Sequence, residues 1–129
     1  MAGRALLDTS AAAALLRGDP GIASALEDLD EVFTSAIVVG ELLYGARLSS
    51  NHETNLERVV GFSSSVTVLP TNGETALVYA RVKQGLRSRG RPIPDNDLWI
   101  ACTAIQHRLT LLNRDAHFDE IDELAQAGW

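Results

Sequence analysis

Four short, mostly apolar runs are separated along the chain by longer stretches with helical features. The runs have the length and composition of buried β-strands. They are RALLD at 4–8, VFTS at 32–35, VTVL at 66–69 and TLLN at 110–113. The connections between them are long enough to hold helices, which favours parallel pairing of the strands.

The intervening stretches predict the helices. Proline in a first turn and glycine beyond a last turn mark some of their ends. We expect helices at 10–17, after Asp19 and Pro20, at 36–48, at 52–62, at 73–89 before Gly90, from near Asp95 to about Arg108, and at 118–127. Strands alternating with helices predict a parallel sheet with helices on both faces. Residues 1–129 are therefore expected to form a single α/β domain.

Composition indicates a globular protein. Hydrophobic residues make up 46% of the 129, which suits a packed core. The first residues lack a secretory leader pattern, and no apolar run approaches the roughly 18 residues of a membrane helix. The only cysteine, Cys102, lies in the apolar run LWIACTAI and is expected to be buried. These features favour a reducing cytoplasm and no membrane partner.

Asp8 comes directly after the first predicted strand. Ligands of parallel α/β sheets bind beyond the carboxyl ends of the strands, so Asp8 is a candidate binding residue. Capping of the next helix by Asp8, Thr9 or Ser10 is the competing interpretation.

Glu41 and Asp97 each lie in an otherwise apolar helical pattern. The helical neighbours of Glu41 include Val38 and Tyr44, so its burial would require a partner for the charge. Asp97 precedes an apolar run, and Asp95, nearer the helix start, is the expected N-cap. Capping or interaction with the helix dipole is the alternative role for Asp97.

Asp115 follows the last predicted strand as Asp8 follows the first, and parallel strands would bring both to one edge of the sheet. Carboxylates that meet there repel one another. A hard divalent cation with oxygen ligands, Mg²⁺ or Mn²⁺, would relieve this repulsion. No Cys/His spacing indicates zinc. His52, His107 and His117 are scattered, and we expect them at the surface or at helix ends.

Four segments together resemble the PIN-domain family, and within it the VapC toxins of bacterial toxin–antitoxin pairs. They are LLDTSA, VVGELLYGA, IPDNDLWIACTA and LLNRDAHFDEI, in this order, and they span almost the whole chain. Each motif alone is common, whereas the ordered set is specific.

The resemblance implies a doubly wound α/β/α sandwich with a mainly parallel sheet of four to five strands. It also implies a metal-dependent endoribonuclease that hydrolyses RNA with a metal-activated water. The family's four acids fall on Asp8, Glu41, Asp97 and Asp115. We expect Asp8 and Asp97 to bind Mg²⁺ or Mn²⁺ directly, and Glu41 and Asp115 to bind it directly or through water.

The resemblance extends to polar residues beside the acids. Thr9 or Ser10 corresponds to the family's supporting hydroxyl. The family usually has Thr or Ser two residues before the fourth acid, where this chain has Asn113. A side-chain amide can also hydrogen-bond a carboxylate or a water, so we expect activity to survive this departure.

The charge distribution contains a basic segment. The net charge is −6, which alone argues against a nucleic-acid partner. Residues 75–94 contain no acid and carry +5, so the other residues carry −11. The basic residues are Arg81, Lys83, Arg87, Arg89 and Arg91. We expect Arg87, Arg89 and Arg91 to contact RNA phosphates. Arg81 and Lys83 are expected either to contact RNA as well or to form ion pairs within the fold. For all five residues the alternative is a basic surface that only contacts solvent.

The implied partners are RNA, a VapB-type antitoxin and a second copy of the chain. The stretch 36–48 is more apolar than one helix facing a core requires, which favours an interface there. Two other functions share some of these features. One is an inactive PIN-fold binding module, and the presence of all four acids argues against it. The other is a phosphatase or phosphotransferase with Asp8 as nucleophile, which lacks the expected second Asp because Ser10 occupies that position.

Overall fold

The computed structural model describes residues 3–129, in which strands and helices alternate along most of the chain. In chain order the elements are β1 (Gly3–Leu7), α1 (Thr9–Leu16), α2 (Pro20–Glu27), β2 (Leu29–Ser35), α3 (Ala36–Leu48), α4 (His52–Ser65), β3 (Thr67–Leu69), α5 (Gly73–Ser88), α6 (Asp95–His107), β4 (Thr110–Leu112), a 3-10 helix (Ala116–Glu120) and β5 (Gln126–Ala127).

The five strands form one sheet in the order β3-β2-β1-β4-β5, and every neighbouring pair is parallel. The central strand β1 is flanked by β2 and β4. Leu6 of β1 pairs with Phe33 on one side and with Leu111 on the other. Leu6 and Leu7 are fully buried, as expected for a parallel strand covered on both faces. The predicted α/β fold with a parallel sheet of four to five strands is confirmed.

The predicted helix at 118–127 is wrong. This stretch contains the end of the 3-10 helix and then β5. The backbone N–H of Leu111 donates to Ala125 O at 2.9 Å, and that of Asn113 donates to Ala127 O at 3.0 Å. Without the tail, β4 would present unpaired backbone groups at an edge of the sheet. Pairing with β4 therefore decides the conformation of the tail.

The start of α6 also differs from the prediction. Pro94 occupies the N-cap position, and no side chain caps the helix there. Oδ1 of Asp95 instead accepts hydrogen bonds from the Tyr79 hydroxyl at 3.0 Å and from Nζ of Lys83 at 3.1 Å. Asp95 therefore connects α6 to α5 and is not the N-cap.

Two further expectations concern the core and the membrane. Cys102 is buried, as predicted, and burial raises the pKa of its thiol to about 12. Within residues 3–129, no helix has both the length and the apolarity needed to span a bilayer.

Candidate active site

The strand order places two predicted site residues at a change of direction in the sheet. From β1 the chain adds β2 and β3 on one side, and later β4 and β5 on the other. Ligands of such sheets bind between the two strands where the order reverses, here β1 and β4. Leu7 and Leu112 are paired across these strands, and the N–H of Asp8 donates to Leu112 O at 3.2 Å. Asp8 therefore lies at this position, and Asp115 lies three residues beyond β4.

Asp8 is buried and caps α1, so the alternative role considered from the sequence is also present. One carboxylate oxygen accepts the N–H of Ala11 at 2.8 Å, and the Ser10 hydroxyl donates to the carboxylate at 2.7 Å. Burial raises the pKa of Asp8, the Ala11 and Ser10 bonds oppose this, and the negative charges of Asp97 and Asp115 raise it further. Asp8 is thus both a cap and a member of a charged cluster.

Asp97 lies in the first turn of α6 and is half-buried. Burial is the largest cause that raises its pKa, a hydrogen bond from His117 lowers it, and the charges of Asp115 and Glu41 raise it. The four acids predicted from the sequence are therefore close enough to one another for their charges to interact.

Glu41 is half-buried on α3, so the burial considered from the sequence is only partial. One turn to either side of Glu41 on α3, Val38 is fully buried whereas Tyr44 is 66% exposed, so Glu41 lies at the boundary between the core and the solvent. Oε1 of Glu41 accepts a hydrogen bond from the Thr9 hydroxyl at 2.7 Å. The two hydroxyls after Asp8 have separate roles, because Thr9 orients Glu41 whereas Ser10 orients Asp8.

Asp115 caps the 3-10 helix, and its position depends on Asn113. The N–H of Asp115 donates to Oδ1 of Asn113 at 3.0 Å, and Oδ1 of Asp115 accepts the N–H of His117 at 2.9 Å. Asn113 is buried, and its Nδ2 donates to Oε1 of Gln126 at 3.1 Å. The amide is thus used to hold the loop and is directed at the backbone and β5.

Sequence reasoning missed two residues of this site, His117 and Gln126. Nδ1 of His117 lies 3.2 Å from Oδ1 of Asp115 and 3.3 Å from Oδ2 of Asp97. The expectation that His117 lies at the surface is correct, since half of its side chain is exposed, but the residue is also part of the acidic cluster. Its position two residues after Asp115 was the available signal. For Gln126 the sequence carried none.

The chemistry of this donor set fits a divalent cation. The carboxylates supply the oxygen ligands that Mg²⁺ and Mn²⁺ take in proteins. The raised pKa values of Asp8 and Asp97 reflect burial and uncompensated negative charge, which a bound cation would neutralise.

The basic segment is partly engaged within the fold. Arg81 forms an ion pair with Glu123, and Lys83 with Asp95. Two other arginines contact Glu120: Arg89 donates to its carbonyl oxygen at 2.7 Å, and Arg91 lies 3.9 Å from its carboxylate. Arg87 is exposed, lies beside a hollow lined by Ile93 and Leu98, and has no ion pair with any residue in 3–129.

A groove next to Glu41 lies between α1, α3 and α4. It has a volume of about 430 Å³ and is lined by Leu16, Leu42 and Val59 together with Glu41 and Arg58. Two large apolar side chains on α3, Tyr44 and Leu48, are 66% and 70% exposed. The predicted excess of apolar surface on this helix is therefore present.

Comparison with known proteins relates this site to a family. A family model described as PIN domain matches residues 5–124. The chain is 33% identical to Ribonuclease VapC1 of Haemophilus influenzae, and the similarity covers 96% of each protein. The structure of VapBC-1 from nontypeable Haemophilus influenzae superimposes with a TM-score of 0.89 and 30% identity over 98% of both chains. VapBC2 from Rickettsia felis, bound to a DNA fragment from its promoter, superimposes with a TM-score of 0.91 and 25% identity over 98% of both chains.

Proposed function

The chain belongs to the PIN-domain family, and on that premise we propose that it is a metal-dependent endoribonuclease and the toxin of a VapBC-type toxin–antitoxin pair. One observation carries the proposal. Burial raises the pKa of Asp8 and of Asp97, and the negative charges of Asp97 and Asp115 on Asp8, and of Asp115 and Glu41 on Asp97, raise it further, which supports one shared site for the four acids. A ribonuclease toxin acts where RNA is present, so the cytoplasm is its proposed location.

We assign the metal, Mg²⁺ or Mn²⁺, to these four carboxylates. Asp8 and Asp97, the two whose pKa values are raised, are the proposed direct ligands. Glu41 and Asp115 would hold the metal directly or through water. When bound, the cation would lower the pKa of a coordinated water and neutralise negative charge that develops on the phosphate.

The residues around the acids keep the carboxylates in place. Ser10 fixes the rotation of the Asp8 carboxylate, and Thr9 fixes Glu41 through a hydrogen bond of 2.7 Å. Asn113 holds the backbone of Asp115. Such orienting contacts reduce the rearrangement required when a cation and a phosphodiester bind.

The groove between α1, α3 and α4 is the proposed site of the antitoxin. Its apolar lining suits the apolar side chains of an inhibitor segment, and Glu41 lies on its edge. An arginine of the antitoxin could there pair with the acidic cluster and block it. The exposed apolar side chains of α3 are the proposed contact between two copies of the chain.

The experiment is cleavage of RNA by the purified chain, free of antitoxin, with Mg²⁺, with Mn²⁺ and with excess EDTA. We expect cleavage only with metal. Asp97→Asn should lower the rate by roughly two orders of magnitude or more, as when one catalytic electrostatic group is removed. Asp95→Asn, two residues away on the same helix, is the matched control and should cleave normally. Cleavage in EDTA, or full activity of Asp97→Asn, would exclude the proposed mechanism.

A further inference from the structure

The imidazole of His117 lies beside the carboxylates of Asp97, on α6, and of Asp115, which follows β4. Its Nδ1 is 3.2 Å from Oδ1 of Asp115 and 3.3 Å from Oδ2 of Asp97. One ligand atom from each of the three residues can be chosen so that all lie within 4.8 Å of one another. A nitrogen donor therefore belongs to a cluster that the sequence had indicated to be made of oxygen donors alone.

The backbone holds His117 in this place. Its own N–H donates to Oδ1 of Asp115 at 2.9 Å, within the 3-10 helix that Asp115 caps. The next residue, Phe118, is fully buried and accepts a hydrogen bond from Nε2 of Gln126 at 3.2 Å. The ring is thus attached to a segment anchored on both sides, although half of the side chain is exposed.

The distances suit ligation of a common cation as well as a direct hydrogen bond. Two ligands at adjacent corners of an octahedron, each about 2.1 Å from the metal, are about 3 Å apart. Both distances from His117 are close to this separation. The hydrogen bond requires the ring proton on Nδ1, whereas ligation requires an unprotonated Nδ1, with the proton of the neutral imidazole on Nε2.

We propose that Nδ1 of His117 is a ligand of the catalytic cation together with Asp97 and Asp115, and that this nitrogen makes the site prefer Mn²⁺ to Mg²⁺. The inference rests on the proposed metal-dependent function. Mg²⁺ is bound almost entirely by oxygen, and it keeps several of its waters. Replacement of an oxygen ligand by imidazole favours first-row transition metals over Mg²⁺.

The test is electron spin echo spectroscopy of Mn²⁺ bound to the full chain, because a directly bound imidazole couples its ¹⁴N nucleus to the electron spin. We expect this coupling in the unchanged protein, and we expect its replacement by a ¹⁵N signal when the histidines are ¹⁵N-labelled. His117→Ala should remove it. His52→Ala, at the start of α4, is the matched control and should retain it.

Calorimetric titration with each metal gives a second readout. His117→Ala should weaken Mn²⁺ binding by at least about tenfold and Mg²⁺ binding by less, so that the preference for Mn²⁺ falls. His117→Gln keeps a hydrogen-bond donor beside the carboxylates but lacks the nitrogen ligand, and it should lose the preference too.

The possible results separate this inference from the proposed function. Mn²⁺ that binds with no histidine coupling, or a His117→Gln variant with an unchanged metal preference, would show that His117 only hydrogen-bonds the acids. The nuclease proposal would survive that result. A protein that binds neither Mn²⁺ nor Mg²⁺ would overturn both.

Discussion

Asn113 donates a hydrogen bond from Nδ2 to Oε1 of Gln126 over 3.1 Å, and this contact joins the loop that carries Asp115 to the last strand. Oδ1 of Asn113 accepts the N–H of Asp115 at 3.0 Å. Gln126 also donates from Nε2 to the carbonyl oxygen of Phe118 at 3.2 Å. The two amides therefore hold both the beginning and the middle of the segment that presents Asp115.

Asn113→Ala should weaken Mn²⁺ binding by about 10- to 100-fold, the range typical when a group that orients a metal ligand is removed. Asn113→Thr should retain more affinity, because a hydroxyl can also accept the N–H of Asp115. Calorimetric titration measures both. Asn96→Ala, at an exposed asparagine of α6, is the control. Unchanged affinity in Asn113→Ala would mean that Asp115 needs no support from this amide.

In the absence of metal, Asp97→Asn should stabilise the protein at neutral pH. The pKa of Asp97 in the folded protein is raised above its ordinary value of 3.8, mainly by burial. When the pKa of a carboxyl is higher in the folded than in the unfolded protein, its contribution to the free energy of unfolding is fully present below the unfolded pKa. That contribution is lost as the pH rises through the folded pKa, because the carboxylate must then ionise in a buried place. The advantage of Asp97→Asn should therefore be absent near pH 4 and grow toward neutrality, as followed by thermal melts in EDTA.

The stability contributed by Asp95 should depend on pH in the opposite direction, and Asp95→Asn tests this in the same melts. Lys83 and Tyr79 lower the pKa of Asp95, so this carboxylate contributes stability above its ordinary pKa of 3.8 and loses it as the pH falls. Asp95→Asn should not stabilise the protein at neutral pH. A result in which both variants shift the melting temperature in the same direction would contradict the assigned causes.

Metal should stabilise the unchanged protein. At a concentration about 100-fold above its Kd, a cation that binds only the folded state adds roughly 2.7 kcal/mol to the free energy of unfolding. For a domain of this size that is about 10 °C in Tm. Saturating Mn²⁺ should therefore raise Tm in the unchanged protein and far less in Asp97→Asn. No shift in the unchanged protein would argue against a preformed site.

Removal of the basic side chains should weaken RNA binding and its dependence on salt. Arg87, Arg89 and Arg91 remain the proposed phosphate contacts, and Arg87 lacks an ion pair within the described residues 3–129. Arg87→Gln alone should reduce the slope of log K against log salt by roughly 0.7, and the triple Gln variant by roughly 0.7 for each phosphate that its arginines neutralise. Arg81→Gln, which breaks the pair with Glu123, is the control. An unaltered slope in the triple variant would place the RNA elsewhere.

The unchanged chain should be a dimer at micromolar concentration, with twice the 13.9 kDa mass of one chain by light scattering. Tyr44→Lys combined with Leu48→Lys should yield monomers, because charges would replace exposed apolar side chains of α3. Val60→Lys, an exposed apolar position on α4, should remain dimeric. A monomeric unchanged protein would remove the proposed role of α3 in self-association.

Most of the fold could be predicted from the sequence, and the acids of the proposed site could be chosen from it, because both depend on local patterns. Short apolar runs alternating with helical stretches predicted the parallel sheet, and the position of Asp8 after β1 predicted its place at the edge of that sheet. The segments around Glu41, Asp97 and Asp115 carried the family resemblance, which the PIN-domain match confirms. That resemblance implied that these three acids belong to one site together with Asp8.

Tertiary contacts decided the rest. The local pattern at 118–127 predicted a helix, but the end of this tail forms β5 because β4 has backbone groups that need partners. Asp95 was mistaken for a helix cap because its partners, Tyr79 and Lys83, lie on another helix. His117 and Gln126 reach the site only after the chain has turned through the 3-10 helix and added its last strand. The local sequence pattern cannot predict such contacts, because they depend on which distant segments pack together.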